Sequence, residues 1–118
     1  MHEGAIVKSL LDIANKSFTE SELKEVNRVK VIIGKFHNIV NEVMEMHFDL
    51  MKKEIAGFEQ AILEIEERDL IIQCRKCHKT TSLNDINFAC SDCGSTDTEL
   101  IHGNELYIAS IEGTDNTK

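Results

Sequence analysis

Apolar residues recur at helical spacing in two parts of the chain. Over residues 5–18 they stand three or four positions apart, and the same period returns from about residue 38 to residue 55. Such spacing places apolar side chains along one face of a helix, so both stretches are predicted to be amphipathic helices. The first is expected to begin almost at the start of the sequence, and Gly57 is expected to stop the second.

Other stretches alternate between apolar and polar residues, which is the period of a strand. They are predicted to be strands over residues 26–34, 61–67, 70–72, 99–102 and 105–111. The second and third are one bent strand or two short ones, and a Gly103-Asn104 turn joins the last two. The tail from Gly113 onward is expected to fray.

Composition limits the class of protein. The chain has 118 residues, 42% hydrophobic and 29% charged, which suits one folded unit or two very small ones and excludes a barrel enzyme. No apolar run approaches the roughly 20 residues that cross a bilayer, and the first residues lack the pattern of a signal peptide. The formal net charge of −8 repels phosphate backbones. We therefore expect a cytoplasmic protein that binds neither membranes nor nucleic acid.

Four cysteines form two C-x2-C pairs, Cys74 with Cys77 and Cys90 with Cys93, separated by 12 residues. Disulfides are rare in reducing compartments, and two such pairs can present four thiolates to one tetrahedral ion. The spacing therefore predicts a structural Zn²⁺ site with no open position for catalysis. Residues 74–93 are expected to unfold without the metal. The excess negative charge of the thiolates is expected to be offset by Arg75, Lys76 and Lys79.

The first cysteine pair also fits other motifs. Residues 74–78 match the C-x-x-C-H pattern of c-type haem attachment, but that chemistry normally belongs to exported proteins and leaves the second pair unexplained. A thioredoxin-like site needs a βα junction, whereas these pairs lie between predicted strands. His78 is interpreted as an exposed turn residue, with entry into the metal shell as the alternative.

The first three residues offer a second metal site. The α-amine of Met1, the amide nitrogen and imidazole of His2 and the amide of Glu3 can surround one ion in a plane, which suits Ni(II) or Cu(II). An inert, mobile terminus is the alternative interpretation of His2. His37 is a further candidate nickel ligand, although a solvated loop histidine is the favoured interpretation. His47 is expected to be a partly buried packing residue.

Several of these motifs together resemble the HypA/HybF family of hydrogenase-maturation nickel chaperones, in order and spacing, over nearly the whole chain. They are Met1-His2-Glu3, the strand over residues 29–34, Phe48, the two C-x2-C turns with Cys93-Gly94-Ser95, and Gly103-Asn104-Glu105-Leu106. The resemblance implies an α+β fold, with two helices on a small three-stranded sheet and an inserted zinc-ribbon module that holds its metal with four cysteines. Residues 1–72 with 104–113 would form the nickel-binding domain, residues 73–103 the zinc ribbon and residues 114–118 a flexible tail.

The resemblance also implies a function. It implies a non-enzymatic nickel carrier for [NiFe]-hydrogenase maturation, with urease as a further recipient, that holds nickel through Met1, His2 and Glu3 and structural zinc through the four cysteines. The implied partners are a GTPase of the HypB type, the hydrogenase large subunit or its assembly complex, and a urease accessory protein. The carrier would act as a monomer or a homodimer. The alternative interpretation is a zinc-ribbon adaptor with no nickel role.

Overall fold

Residues 2–83 and 87–115, which the computed structural model describes, form two helices and six strands. The helices are α1 (Glu3–Thr19) and α2 (Asn41–Met51), and short 3-10 turns follow β1 and α2 at Lys35–His37 and Lys52–Glu54. The strands are β1 (Leu23–Gly34), β2 (Ile62–Arg68), β3 (Leu70–Cys74), β4 (Thr80–Leu83), β5 (Thr98–His102) and β6 (Leu106–Asp115). Two three-stranded sheets result, in the orders β2-β1-β6 and β4-β3-β5. The predicted α+β fold with two helices and small sheets is confirmed.

Contacts along the chain divide it into two compact units. The first holds residues 2–32, 39–66 and 107–115, and the second holds residues 33–38, 67–83 and 87–106. The functional division into a nickel-binding domain over residues 1–72 with 104–113 and a zinc-ribbon domain over 73–103 stays a prediction. Neither described helix is both long and apolar enough to cross a membrane.

The core of the first unit lies between the helices and the sheet. Side chains of α1, α2 and two strands meet around one interior space: Val7, Leu10, Leu11, Phe48, Val29 and Leu63. Burying each such side chain fully contributes roughly 1.5–3 kcal/mol. The apolar stripes predicted for both helices therefore fix where α1 and α2 lie on the sheet.

The second helix is shorter than the predicted span of residues 38–55. It cannot begin earlier because Asn38 has a left-handed backbone, with φ 52°, and Val40 is extended. Its α-helical part stops at Met51, and the chain turns at Gly57, where φ is 94°. A Cβ at Gly57 would lie 2.6 Å from the Phe18 ring, so both the turn and the packing require glycine there.

The expected fraying from Gly113 is wrong for residues 113–115, because β6 continues to Asp115. The Asn27 side-chain amide donates a hydrogen bond of 3.3 Å to the Thr114 hydroxyl. A Cβ at Gly113 would lie 2.0 Å from the Glu25 carbonyl oxygen, so glycine permits the close approach that extends the strand. Residues 116–118 of the predicted flexible tail lie outside the described residues.

The second unit is built around β3, which pairs antiparallel with β4 and with β5. Asp69 separates β2 from β3, so the alternative of two short strands is correct. The register against β5 shifts between Ile71 and Ile72. In the same unit, the amide of Gly34 donates to the Glu105 carbonyl at 2.7 Å, and a Cβ at Gly34 would lie 1.9 Å from the Gly103 oxygen.

Candidate metal centres

The four cysteine thiols converge in the second unit. Their sulfur atoms all lie within 4.8 Å of one another, with Cys74 Sγ 3.5 Å from Cys93 Sγ and Cys77 Sγ 3.6 Å from Cys90 Sγ. A tetrahedral Zn²⁺ bound to four thiolates at about 2.3 Å holds its sulfurs about 3.8 Å apart. Both the donor type and the separations therefore fit a four-sulfur zinc site, as the spacing of the cysteines predicts.

The two C-x2-C turns have the same backbone hydrogen bonds. In the first, the Cys74 amide donates to the Lys79 carbonyl at 2.9 Å and the His78 amide donates to the Cys74 carbonyl at 2.9 Å. In the second, the Cys90 amide donates to the Ser95 carbonyl at 2.8 Å and the Gly94 amide donates to the Cys90 carbonyl at 2.9 Å. Each pair of thiols is therefore presented by one repeated loop.

His78 and Gly94 occupy equivalent places in these loops, and both have a left-handed backbone, with φ 66° and 76°. Gly94 adopts this conformation readily because it has no Cβ. His78 is exposed and stands outside the group of gathered ligands, so its role is to close the first turn. An alignment of the two C-x2-C motifs in the sequence puts His78 at the same position as Gly94, and this correspondence could have predicted the left-handed backbone of His78.

Hydrogen bonds from backbone N–H groups give two of the four thiols a lowered pKa, those of Cys74 and Cys90. Hydrogen bonds from Cys77 and Lys76 N–H, each 3.4 Å long, lower the pKa of Cys74 to about 6. The N–H groups of Cys93 and Asp92 likewise lower the pKa of Cys90. In metal-bound thiolates such hydrogen bonds offset part of the charge on sulfur.

The other two thiols behave in the opposite way. The Lys79 N–H lowers the pKa of Cys77, but desolvation and hydrogen bonds with neighbouring thiols outweigh it and raise that pKa to about 12. For Cys93 the Ser95 N–H also lowers the pKa, and the contact with the Cys74 thiol and desolvation raise it above the ordinary value. In each turn the first cysteine therefore has a lowered thiol pKa and the second a raised one.

Arg75, one of the residues expected to offset the thiolate charge, has a carboxylate partner. Its guanidinium pairs with Asp97 at 3.2 Å and donates to the Thr98 carbonyl at 3.1 Å. Much of its charge is therefore balanced by a carboxylate. Lys76 and Lys79, the other two residues expected to offset the thiolate charge, are exposed.

Two of the three predicted nickel ligands, His2 and Glu3, lie at the start of α1, in the first unit. His2 is exposed and is the residue before the first helical turn, with φ −90° and ψ 96°. Glu3 opens the helix, and its carboxylate accepts a hydrogen bond of 3.1 Å from the Val40 amide, at the start of α2. Met1, the third predicted ligand, lies outside the described residues.

This hydrogen bond keeps Glu3 charged. The Val40 N–H, followed by the N–H of Glu3 itself, holds the pKa of the Glu3 carboxyl below its ordinary value, and the nearby His47 acts in the same direction. The four cysteines form the sole group of three or more potential ligands gathered within 4.8 Å among the described residues. Within those residues, the side chains of His2 and Glu3 therefore belong to no such group.

His37 is not the solvated loop histidine that the sequence favours. Its Nε2 lies 3.0 Å from the Asn104 carbonyl oxygen and donates to it, while Nδ1 is buried without a hydrogen-bond partner in the described part of the chain. The 3-10 turn at Lys35–His37 holds the ring there. Spacing alone gave no indication of this partner, because 67 residues separate the two.

Comparisons with known proteins point to one family. The family model described as "Hydrogenase/urease nickel incorporation, metallochaperone, hypA" matches residues 1–113. The chain is 36% identical over 113 residues to hydrogenase maturation factor HypA of Moorella thermoacetica, covering 96% of this chain and 99% of that protein. It is 34% identical to hydrogenase maturation factor HypA of Aquifex aeolicus, covering 95% and 96%.

A solved structure gives the same picture of the fold. The solution structure of the nickel metallochaperone HypA from Helicobacter pylori matches with a TM-score of 0.70 at 24% identity, covering 98% of this chain and all of that one. The predicted resemblance is confirmed: the chain belongs to the HypA family of nickel-incorporation metallochaperones.

Proposed function

We propose that this protein carries Ni(II) for the maturation of [NiFe]-hydrogenase, with urease as a further recipient. The proposal is supported by the position of His2 directly before α1 and of Glu3 as its first residue, in a chain whose family model spans residues 1–113. His2 is exposed there, and Glu3 is held by the Val40 amide. An open site on an exposed terminus suits a metal that must be handed on.

Nickel binding is proposed to use nitrogen ligands in a plane. The α-amine of Met1, the amide and imidazole of His2 and the amide of Glu3 would supply the four nitrogens. Because the amine, amide and imidazole must lose or lack protons to bind, affinity is expected to fall in acid. Cu(II) binds the same nitrogens more tightly, so selectivity for nickel depends on copper scarcity and on partner contacts.

Zinc is proposed to be the resident metal of the cysteine site. Four thiolates leave no open coordination position, so the ion has a structural role. The ion would be held by Cys74, Cys77, Cys90 and Cys93. Backbone N–H groups that donate to the sulfurs of Cys74 and Cys90 would stabilise the negative charge of the bound thiolates. The protein is accordingly proposed to be a carrier, with no catalytic residue.

The partners are proposed from the same family resemblance. They are a HypB-type GTPase, the hydrogenase large subunit or its assembly complex, and a urease accessory protein. The carrier would act in the cytoplasm as a monomer or homodimer, without membrane or nucleic-acid binding.

A nickel titration of tag-free, zinc-loaded protein tests the proposal. We would compare the wild type with His2→Ala and with a variant that carries extra residues before Met1, following affinity and the visible spectrum of bound nickel. His102→Ala is the matched control, because His102 is exposed and lies in the second unit.

The wild type and the control are each expected to bind one nickel ion and to give the visible spectrum of planar coordination by nitrogen. The other two variants are expected to lose that site. If all four proteins bind nickel alike, the N-terminal site is wrong. The zinc-ribbon adaptor would then be the function to pursue.

A further inference from the structure

The second helix, α2, has apolar residues on two of its faces. Met44 and Phe48 are 0% and 2% exposed and belong to the core. Val43, Met46 and Leu50 follow one another at spacings of three and four residues, so they form a second apolar row along another face. Met46 is 51% exposed and Leu50 is 59% exposed. One row is enough to attach a helix to a core, and two of the three members of the second row face solvent.

A row of carboxylates runs beside this second apolar row. Glu42, Glu45 and Asp49 each precede one of its members by one residue, so the two rows lie next to each other on the helix. All three acidic side chains are exposed. Asp49 pairs with Lys52 at 3.4 Å. Glu42 and Glu45 form no ion pair within residues 2–83 and 87–115. The surface of α2 therefore combines exposed apolar side chains with unpaired carboxylates.

A cleft of about 320 Å³ opens between α1 and the end of α2, where the second apolar row stops. Its lining includes the side chains of Leu11, Met51 and Ile55. Glu54 also lines the cleft and follows Leu50 by about one helical turn. A helix that covers the apolar row can therefore place a further apolar side chain in this cleft.

The charge of this face of α2 limits what can cover it. A second copy of the chain would bring its own carboxylates against these, which like-charge repulsion disfavours. A helix with Lys or Arg beside its apolar residues would instead place opposite charges together, as the flanking ion pairs of a coiled coil do. The unbranched side chain of Met46 can adapt to the shape of such a partner.

We propose that this face of α2 docks an amphipathic helix of a partner protein, one that carries Lys or Arg along one side of its apolar row. The partner helix would pack on Val43, Met46 and Leu50 and insert one apolar side chain beside Leu11. The inference goes beyond the proposed function, because it concerns a protein contact in the first unit and requires no metal ligand.

A titration of the zinc-loaded protein with a synthetic helical peptide tests the inference. The peptide has leucines at spacings of three and four residues and lysines beside them, and its twin has glutamate in place of each lysine. Fluorescence anisotropy measures the Kd, and amide NMR spectra locate the bound peptide. The double variants are Met46→Ser with Leu50→Ser and Glu42→Gln with Glu45→Gln. Ile13→Ser is the matched control, because Ile13 is 57% exposed but does not line the cleft.

The lysine peptide is expected to bind the wild type and the control alike and to shift amide signals of α2. Its Kd is expected to rise about tenfold or more in the double serine variant, because a few apolar side chains at the centre of an interface carry most of its binding energy. In the double glutamine variant, the Kd is expected to rise less and to depend less on salt. The glutamate twin is expected to bind the wild type about tenfold or more weakly than the lysine peptide.

Equal Kd values for the wild type and the double serine variant, or peptide contacts that map away from α2, would overturn the inference. Sedimentation of the protein alone tests the other occupant: a dimer that the double serine variant dissolves would make that occupant a second copy and refute the inference. Should that variant misfold, the two peptides on the wild type decide, and equal affinity for both refutes the inference. None of these measurements involves nickel, so their failure leaves the nickel titration as the separate test of the proposed function.

Discussion

Single glycines in this chain are required for different physical reasons. At Gly94 nothing lies within 4 Å of a Cβ, but φ is 76°. At Gly34 φ is an ordinary −77°, but a Cβ would lie 1.9 Å from a backbone oxygen of Gly103. Residue 94 therefore requires glycine because of its backbone conformation, and residue 34 requires glycine because there is no room for a side chain.

These reasons predict different costs for alanine. Gly94→Ala is expected to lower the free energy of unfolding by roughly 1–2 kcal/mol, the cost of a left-handed L-residue. Gly34→Ala must displace backbone, so its cost is expected to be about 3 kcal/mol or more. Denaturant titrations of the zinc-loaded variants measure both values. Equal costs would mean that the second unit relaxes around residue 34.

Residue spacing predicts ligands better than it predicts their neighbours. The cysteine site follows from C-x2-C repeats, because four thiols at that spacing have one simple geometry. The partner of His37, the approach of His47 to Gly4 and the hydrogen bond from Val40 to Glu3 all join residues distant in the chain. No local pattern encodes such contacts, since they arise when elements pack.

At the scale of elements, Glu3 joins the beginnings of both helices. Its carboxylate stands in the first turn of α1 and accepts the amide hydrogen of Val40, the residue that precedes the first turn of α2. A negative charge is favourable at a helix start, where N–H groups lack partners. The contact therefore stabilises two helix starts at once.

Glu3→Gln, which keeps an oxygen acceptor and removes the charge, is expected to lower the melting temperature at neutral pH. The pKa of Glu3 is lowered in the folded protein from 4.5, so its stabilising effect is present above that pH and is lost as the pH falls through the folded value. The difference between wild type and variant should shrink below pH 4.5. Melting curves recorded from neutral pH down into the acid range measure it, and a difference independent of pH would contradict the role of the charge.

Element types follow from periodicity, and element ends depend on backbone details. Both helices and the strand over residues 26–34 are read from their apolar pattern. The late start of α2 cannot be read from the apolar pattern. It depends on the left-handed backbone of Asn38, which the spacing of apolar residues does not encode. The last strand extends past residue 111 because Gly113 leaves room for the Glu25 carbonyl. Composition alone predicts a frayed tail there, because it carries no information about this contact.

At the scale of the whole molecule, the two compact units are expected to depend on metal differently. The core of the first unit consists of side chains such as Val7 and Phe48. The second unit contains all four cysteines, and a structural zinc site contributes roughly 10–16 kcal/mol of apparent binding free energy.

Chelation of zinc is therefore expected to unfold residues 74–93 and to leave α1 and α2 helical. Amide NMR spectra before and after chelation measure this, residue by residue. Dispersed signals for residues 74–93 in the metal-free protein would contradict it. Restoration of those signals by one equivalent of zinc is the control for irreversible damage.

The pairing of sulfurs across the two cysteine loops has a consequence for oxidative damage. Two sulfur–sulfur separations, 3.5 Å and 3.6 Å, join Cys74 to Cys93 and Cys77 to Cys90. An oxidant such as peroxide that reaches the loaded site would take two electrons from each pair, expel the metal and form two cross-links between the loops. The product would keep the loops together without zinc and would not accept the ion again until a reductant opened both bonds.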